Sequence, residues 1–191
     1  ANVSIHDNTM SNPDTGNKQC VRSQCTGVES AMDFYNNVMS AGGRVLRNTT
    51  GNGIYISGDI TSWSNTITGC KNGIYIDTLA ATTTSVGTST NDTIKDCQYG
   101  ISANEATITV TGALLVGNDE SFRLVAAGTS VTANTCRSFC DGTGYHVSID
   151  APGTTGSGSN NQYVKGKFKD NGTIYNNWKS WAHAKGETGA R

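Results

Sequence analysis

The stretch "NGIYISGD" (Asn52–Asp59) is all but written again as "NGIYIDTL" (Asn72–Leu79). Aligning on the residue after the glycine extends the series to Val28, Ile54, Ile74, Ile101, Phe122, Tyr145 and Ile174, at intervals of roughly 20 to 30 residues. The preceding residue is glycine at Gly27, Gly53, Gly73, Gly100 and Gly144, with Ser121 and Thr173 as the exceptions. Two places further on stand Ser30, Ile56, Ile76, Ala103, Leu124, Val147 and Asn176, mostly apolar. Alternation along a strand turns these two apolar positions to one face, and the glycine supplies a bend or a close backbone approach. One such unit cannot bury its apolar side; stacked units can. Leucine-rich repeats need a regular Leu pattern that is missing, and propeller blades need about 40 residues or more per unit. What remains is an all-β, single-stranded parallel β-helix of about seven coils, each lying roughly 4.8 Å above the last.

Longer matches support this. "SNTITGCKNGIYID" (Ser64–Asp77) and "NDTIKDCQYGISAN" (Asn91–Asn104) agree over strand, corner and strand, with Ile67 matching Ile94 and Cys70 lying over Cys97. Asn, Asp and Cys at corners are expected to stack as ladders bonded to neighbouring backbone. The stretches Leu79–Thr90 and Ala151–Asn161 read as loop insertions. Near the N-terminus Val28, Met32, Tyr35 and Met39 fall at near-helical spacing, so a short helix competes there with the Val28 rung. We expect the β-helix to occupy residues 1–178 and a tail or stem residues 179–191.

The composition fits such a chain. Gly is 23 of 191 residues and Pro 2, charged residues are 15%, and the net charge is −1, which gives no electrostatic reason to expect nucleic acid or an anionic membrane. No apolar run approaches the roughly 18 residues of a membrane helix, so no membrane insertion is expected. The opening "ANVSIHDNTM" shows neither an initiator Met nor a signal segment, and the chain reads as a processed piece of a longer one.

The residue between the two inward ones faces outward, and that row reads Glu29, Tyr55, Tyr75, Ser102, Arg123, His146, Tyr175. Tyr rings stack on sugar C–H faces while hydroxyl, imidazole and guanidinium groups bond the rest, which nominates Tyr55, Tyr75, Arg123, His146 and Tyr175 as carbohydrate-binding. Tyr is also a good strand residue that shields its cross-strand neighbour, a purely structural reason for its presence. The next outward column reads Ser57, Asp77, Asn104, Val125, Ser148, Asn177. Catalytic residues are unassigned; a glycosidase pair would have to come from Asp59, Asp77, Glu105, Asp119 and Asp150, each also a plausible turn residue. The six cysteines (Cys20, Cys25, Cys70, Cys97, Cys136, Cys140) and three histidines (His6, His146, His183) match no zinc spacing, so no metal or other cofactor is expected. Cys70 and Cys97 read as small corner residues, and thiols of a protein assembled in a reducing cytoplasm.

The "NGIYIS" and "NGIYID" rungs, the "ITGC" and "IKDC" corners and the opening "VSIHDNTMSN" together resemble the right-handed parallel β-helix of bacteriophage tailspikes and tail-fibre adhesins, within the wider pectate-lyase-like family. The resemblance spans Val3 to Trp178. It implies a homotrimer, a bacterial surface polysaccharide as partner during host attachment, and a place in the virion tail after assembly in the host cytoplasm. Two alternatives of the same fold are a polysaccharide-degrading hydrolase or lyase and a bacterial surface adhesin. Lyases of the wider family hold calcium on aspartates beside an arginine base; no cluster of three aspartates with such an arginine is visible here, and glycan-cleaving carboxylate pairs cannot be carried over residue by residue.

Overall fold

The computed structural model describes residues 3–11, 20–24, 32–40, 51–78, 85–140, 143–185 and 188–189. Short strands wind through three parallel sheets in strict rotation. Two sheets hold seven strands and the third eight, and every neighbour within a sheet is three strands away in the chain until the last pairing. This is a parallel β-helix. About five complete turns run from Ile60 to Asp170, fewer than the seven coils expected. Ahead of them, the strands Val3–His6, Thr9–Ser11, Val21–Gln24, Met32–Tyr35, Val38–Ser40 and Asn52–Ser57 stack in the same three sheets. No helix of the described residues is long and apolar enough to cross a membrane.

The repeated string is one rung laid on the next. Ile54 pairs with Ile74, and Ile74 with Ile101, Tyr55 with Tyr75, and Ile56 with Ile76. Ile54, Ile74 and Ile101 are buried in one interior column that continues through Phe122, Val147 and Phe168. The register skips Gly53, passing from Asn52↔Asn72 to Ile54↔Ile74. A side chain at Gly53 would point inward, its Cβ 2.5 Å from Ile67 Cγ2 and 2.7 Å from the Gly73 carbonyl oxygen. The glycine therefore lets the strand turn two successive residues to the inside, as a bulge does, which extended alternation forbids to any larger side chain.

Corners are built from polar side chains and left-handed backbone. Asp7, Asn36, Ser64, Asn91, Gly112, Thr135 and Asn160, with φ between 53° and 67°, form one column where the first sheet passes into the second. Asn, Asp and Gly suit that conformation best. The next residue carries a ladder: the backbone N–H of Asn8, Asn37 and Asn65 each donates to the side-chain oxygen one coil later, on Asn37, Asn65 and Asp92 (3.1, 3.0 and 2.8 Å). Asp92 is fully buried, and two serine hydroxyls, from Ser62 and Ser89, donate to its other oxygen at 2.7 Å. At the second corner the Cys70 N–H donates to Cys97 Sγ at 3.4 Å and the Cys97 N–H to Asn118 Oδ1 at 2.9 Å, as the expected stacking of Cys70 and Cys97 requires. Cys97 Sγ donates in turn to the Lys95 carbonyl at 3.3 Å, the behaviour of a thiol.

Several further expectations change. Residues 32–40 form strands, not a helix: Met32 and Phe34 face inward, Asn36 turns the corner and Met39 faces inward again, so strand plus corner reproduces helical spacing. Gly27 and Val28 lie outside the described residues, and the partner of Ile54 on that side is Val21. The presumed insertions contain strands, Val86–Thr90 and Thr155–Ser159, rich in small residues but in register with the first sheet. The rung assigned to Tyr145 belongs to Val147, because the inward bulge residue there is His146 and not Gly144.

Ile174 likewise leaves the series. Thr173–Tyr175 folds back antiparallel on Lys167–Asp170, and Ile174 is 51% exposed. A helix, Trp178–Lys185, then lays Trp181 over the open end of the interior, stacked on Phe168 with ring centroids 5.0 Å apart.

Candidate functional site

The outer surface of the third sheet carries the row read from sequence, altered at its C-terminal end. Its observed order is Tyr55, Tyr75, Ser102, Arg123, Ser148, Lys169. Tyr55, Tyr75 and Arg123 stand in it as expected. His146 does not, because the bulge turns it inward: it is 1% exposed, with Nδ1 2.7 Å from Ser138 Oγ and its ring against Tyr163 and Phe168. Burial pushes its pKa down to about 4, so the ring is neutral at physiological pH. Tyr175 does not stand in it either; it lies on the antiparallel return, edge-on to Trp181.

Because the bulge at Gly53, Gly73, Gly100, Ser121 and His146 turns two residues inward, the residue before it also faces out, and this adds a column that the anchor-and-two reading skipped: Asn52, Asn72, Tyr99, Glu120 and Tyr145, continued by Lys167, which pairs with Tyr145. Arg123 joins the two columns. Its guanidinium lies over the Tyr99 ring, 4.2 Å from the centroid, and Nε donates to Asp150 Oδ2 at 2.9 Å. Glu120 Oε2, buried and accepting no hydrogen bond, lies 3.7 Å from the same Nε. Lys169 Nζ donates to the other Asp150 oxygen at 2.8 Å. At the other end of the face the Tyr55 and Tyr75 rings tilt together at 5.1 Å, and the Tyr55 hydroxyl and Asn104 Nδ2 both donate to Asp77, at 3.3 and 2.8 Å.

The charges sort by surroundings. Burial pushes the Glu120 carboxyl above the ordinary range, the nearby Arg123 charge offsetting this only in part. Burial also acts on Asp150, but its bonds to Lys169 and Arg123 win and hold it below that range. The Tyr75 phenol is pushed up to about 12, first by burial and then by Asp77. Two carboxyls that share one guanidinium but are displaced in opposite directions are the pattern by which acid and base roles are divided.

Of the carboxylates singled out in the sequence, the face holds Asp77 and Asp150, three rungs apart or roughly 14 Å, too far to act on one glycosidic bond. Asp59 accepts the Val86 N–H at 2.8 Å at a corner, and Glu105 is a corner residue with φ 51°. The Asp119 carbonyl accepts the Tyr145 N–H at 2.7 Å. The expected column of Ser148 and Asn177 is replaced by Asp150 and Asn171, since the rungs above it shift. Glu120, Tyr99 and Lys169 are absent from the row read from sequence, the first two because strand alternation alone gives the residue before the bulge no outward place.

The fold and this face define a class, a parallel β-helix with an aromatic and charged outer sheet. Comparison with protein-family models, curated proteins and solved structures finds no match to the chain.

Proposed function

We propose that this chain is a β-helical segment that binds bacterial surface polysaccharide along the outer face of its third sheet, as a part of a phage tail spike or tail fibre engaged in host attachment. The observation that carries the reading is the grouping of half-buried Tyr55, Tyr75 and Tyr99 with Arg123, Asp77, Asp150 and Lys169 on the outer side of one sheet. Aromatic faces there offer stacking area, while fixed donors and acceptors beside them answer sugar hydroxyls. A homotrimer and assembly in the host cytoplasm belong to the same proposal, drawn from the likeness of the rungs and corners to tailspikes. Binding of capsule or lipopolysaccharide, measured on a glycan array and by calorimetry, tests it. Tyr55→Ala and Tyr75→Ala should each weaken binding by about 1 kcal/mol; unchanged affinity in both removes this face as the site.

A second reading, depolymerisation, is favoured by one feature. Glu120 and Asp150 present oxygens 3.7 and 2.9 Å from Arg123 Nε, hence no more than about 7 Å apart, below the upper limit of roughly 10 Å for hydrolytic carboxylate pairs. On this reading Glu120, whose pKa burial raises, is the acid that donates to the leaving oxygen, and Asp150, whose pKa its bonds to Lys169 and Arg123 lower, serves as base or nucleophile. Release of reducing ends from capsule, abolished by Glu120→Gln, decides for it; intact polysaccharide after prolonged incubation decides against it.

A further inference from the structure

The last coil carries a hollow that the outward row does not include. It has a volume of about 430 Å3, within the range of small-ligand sites, and lies between the rung Lys167–Phe168 and the segment Asn176–Trp178 that leads into the helix. Its lining is one-sided in charge. Lys165 and Lys167 both border it, and no Asp or Glu does. The neighbouring lysines are neutralised, Lys169 by Asp150 and Lys185 by Asp170, whereas Lys165 and Lys167 enter no ion pair among the described residues. Two unneutralised ammonium groups on one concavity form an anion site in charge and in shape.

The rest of the lining suits a sugar. Trp178, half-buried, supplies an aromatic face, and the side chains of exposed Asn176 and Asn177 supply amide groups at the rim. At the floor stands His146. Gly166 makes room for it: a Cβ there would lie 2.5 Å from His146 Nε2, so a larger residue would have to displace the imidazole. Nδ1 is engaged by Ser138, and Nε2 is the ring atom nearest the Cβ position of Gly166, which lines the hollow.

We propose that this hollow binds one anionic sugar unit, a hexose bearing a carboxylate or a phosphate, with Lys165 and Lys167 on the anion and Trp178 against the ring. The inference deepens the polysaccharide reading and rests on it for the identity of the ligand as a sugar, since Lys167 continues the column of Tyr99, Glu120 and Tyr145 and so places the hollow at the end of the proposed binding face.

Calorimetry of the whole chain against three probes tests it: a galacturonic acid trimer, glucose 6-phosphate and a neutral galactose trimer. One or both anions should bind about tenfold or more tightly than the neutral trimer, with affinity falling as salt is raised. Which anion binds better distinguishes a carboxylated from a phosphorylated unit. The double substitution Lys165→Gln with Lys167→Gln should remove that preference, and Lys95→Gln, on the second sheet, should not. Both lysines are at the surface, and an unchanged melting temperature verifies that the double variant is folded. Equal binding of anionic and neutral probes, no saturable binding of either anion, or a double variant that keeps its preference overturns the proposal. The two readings fail separately: loss of polysaccharide binding in the tyrosine variants with intact lysine variants leaves the face and removes the hollow, whereas anion binding by the hollow in a chain that binds no polysaccharide leaves the hollow and removes the face.

Discussion

The turns around Ile54, Ile74 and Ile101 and the turn around His146 and Phe168 use the same backbone plan and fill it with opposite materials. In the first group the inward bulge position is Gly53, Gly73 or Gly100, and the interior is an aliphatic column closed over by Ile67, Ile94 and Leu115. In the second the bulge position is His146, and the interior is a cluster of rings: Tyr163 edge-on to Phe168 at 4.9 Å, His146 tilted against both, Trp181 stacked on Phe168. Repetition suits the middle, where each rung must fit an identical rung on either side. The last turn has a helix instead of a rung beyond it, and large rings fill the wider, irregular space there. The lesson is that the period breaks where the stack must close, and in the same place it leaves a hollow.

Truncating the middle column is the severest way to break this contrast. Ile74→Ala should cost about 2 to 5 kcal/mol in chemical denaturation, because Ile74 is sealed between Ile54 and Ile101 and the cavity cannot collapse without moving whole rungs. Phe168→Ala should cost a similar amount by size, but hydrogen exchange should show its loss confined to the last turn and helix, leaving protection around Ile54–Ile101 intact. Uniform loss of protection in both variants would erase the distinction between the regions.

The His146 turn should respond to acid. The folded pKa of about 4 lies below the ordinary 6.5, so the neutral ring contributes stability that is present in full above about pH 6.5 and is lost as the pH falls toward 4. The full loss is on the order of 3 kcal/mol. His146→Gln should flatten the unfolding free energy across that window, and a wild-type curve already flat there refutes a buried neutral ring. Asp92 moves the opposite way: burial raises its pKa, so its ionisation costs stability as the pH rises above the ordinary carboxylate range, and Asp92→Asn should remove that decline. Smaller still, Gly73→Ala and Gly166→Ala should each cost about 1 to 3 kcal/mol by overpacking. The first forces a methyl onto Ile94 and the Gly100 carbonyl, and the second onto His146 and Cys140, so only the second should alter the pH profile.

Much of the middle was legible because its sequence is nearly periodic. "NGIYI" twice over, with "ITGC" matched by "IKDC", located the interior column, the bulge glycines, the cysteine corner and the Tyr55–Tyr75 pair before any coordinates. Legibility failed where geometry was kept and residue type was not. His146 replaces a glycine whose only sequence mark was its smallness, so Gly144 drew the alignment two places out of step and carried His146 into the outward row. Glu120 and Tyr99 were invisible for a related reason: alternation alone assigns the residue before Ser121 or Gly100 no outward role, and only the two-residue inward bulge gives it one. Met32, Tyr35 and Met39 mimicked a helix because a strand, a left-handed corner residue and a second strand happen to consume the same number of positions.

The corner ladder has a direction. Each backbone N–H at Asn8, Asn37 and Asn65 donates to a side chain that comes later in the chain, as do those of Cys97 and Cys136 toward Asn118 and Asn161. A chain emerging from the ribosome therefore completes each corner only when the following coil has been synthesised, and its growing tip always holds an amide awaiting its acceptor.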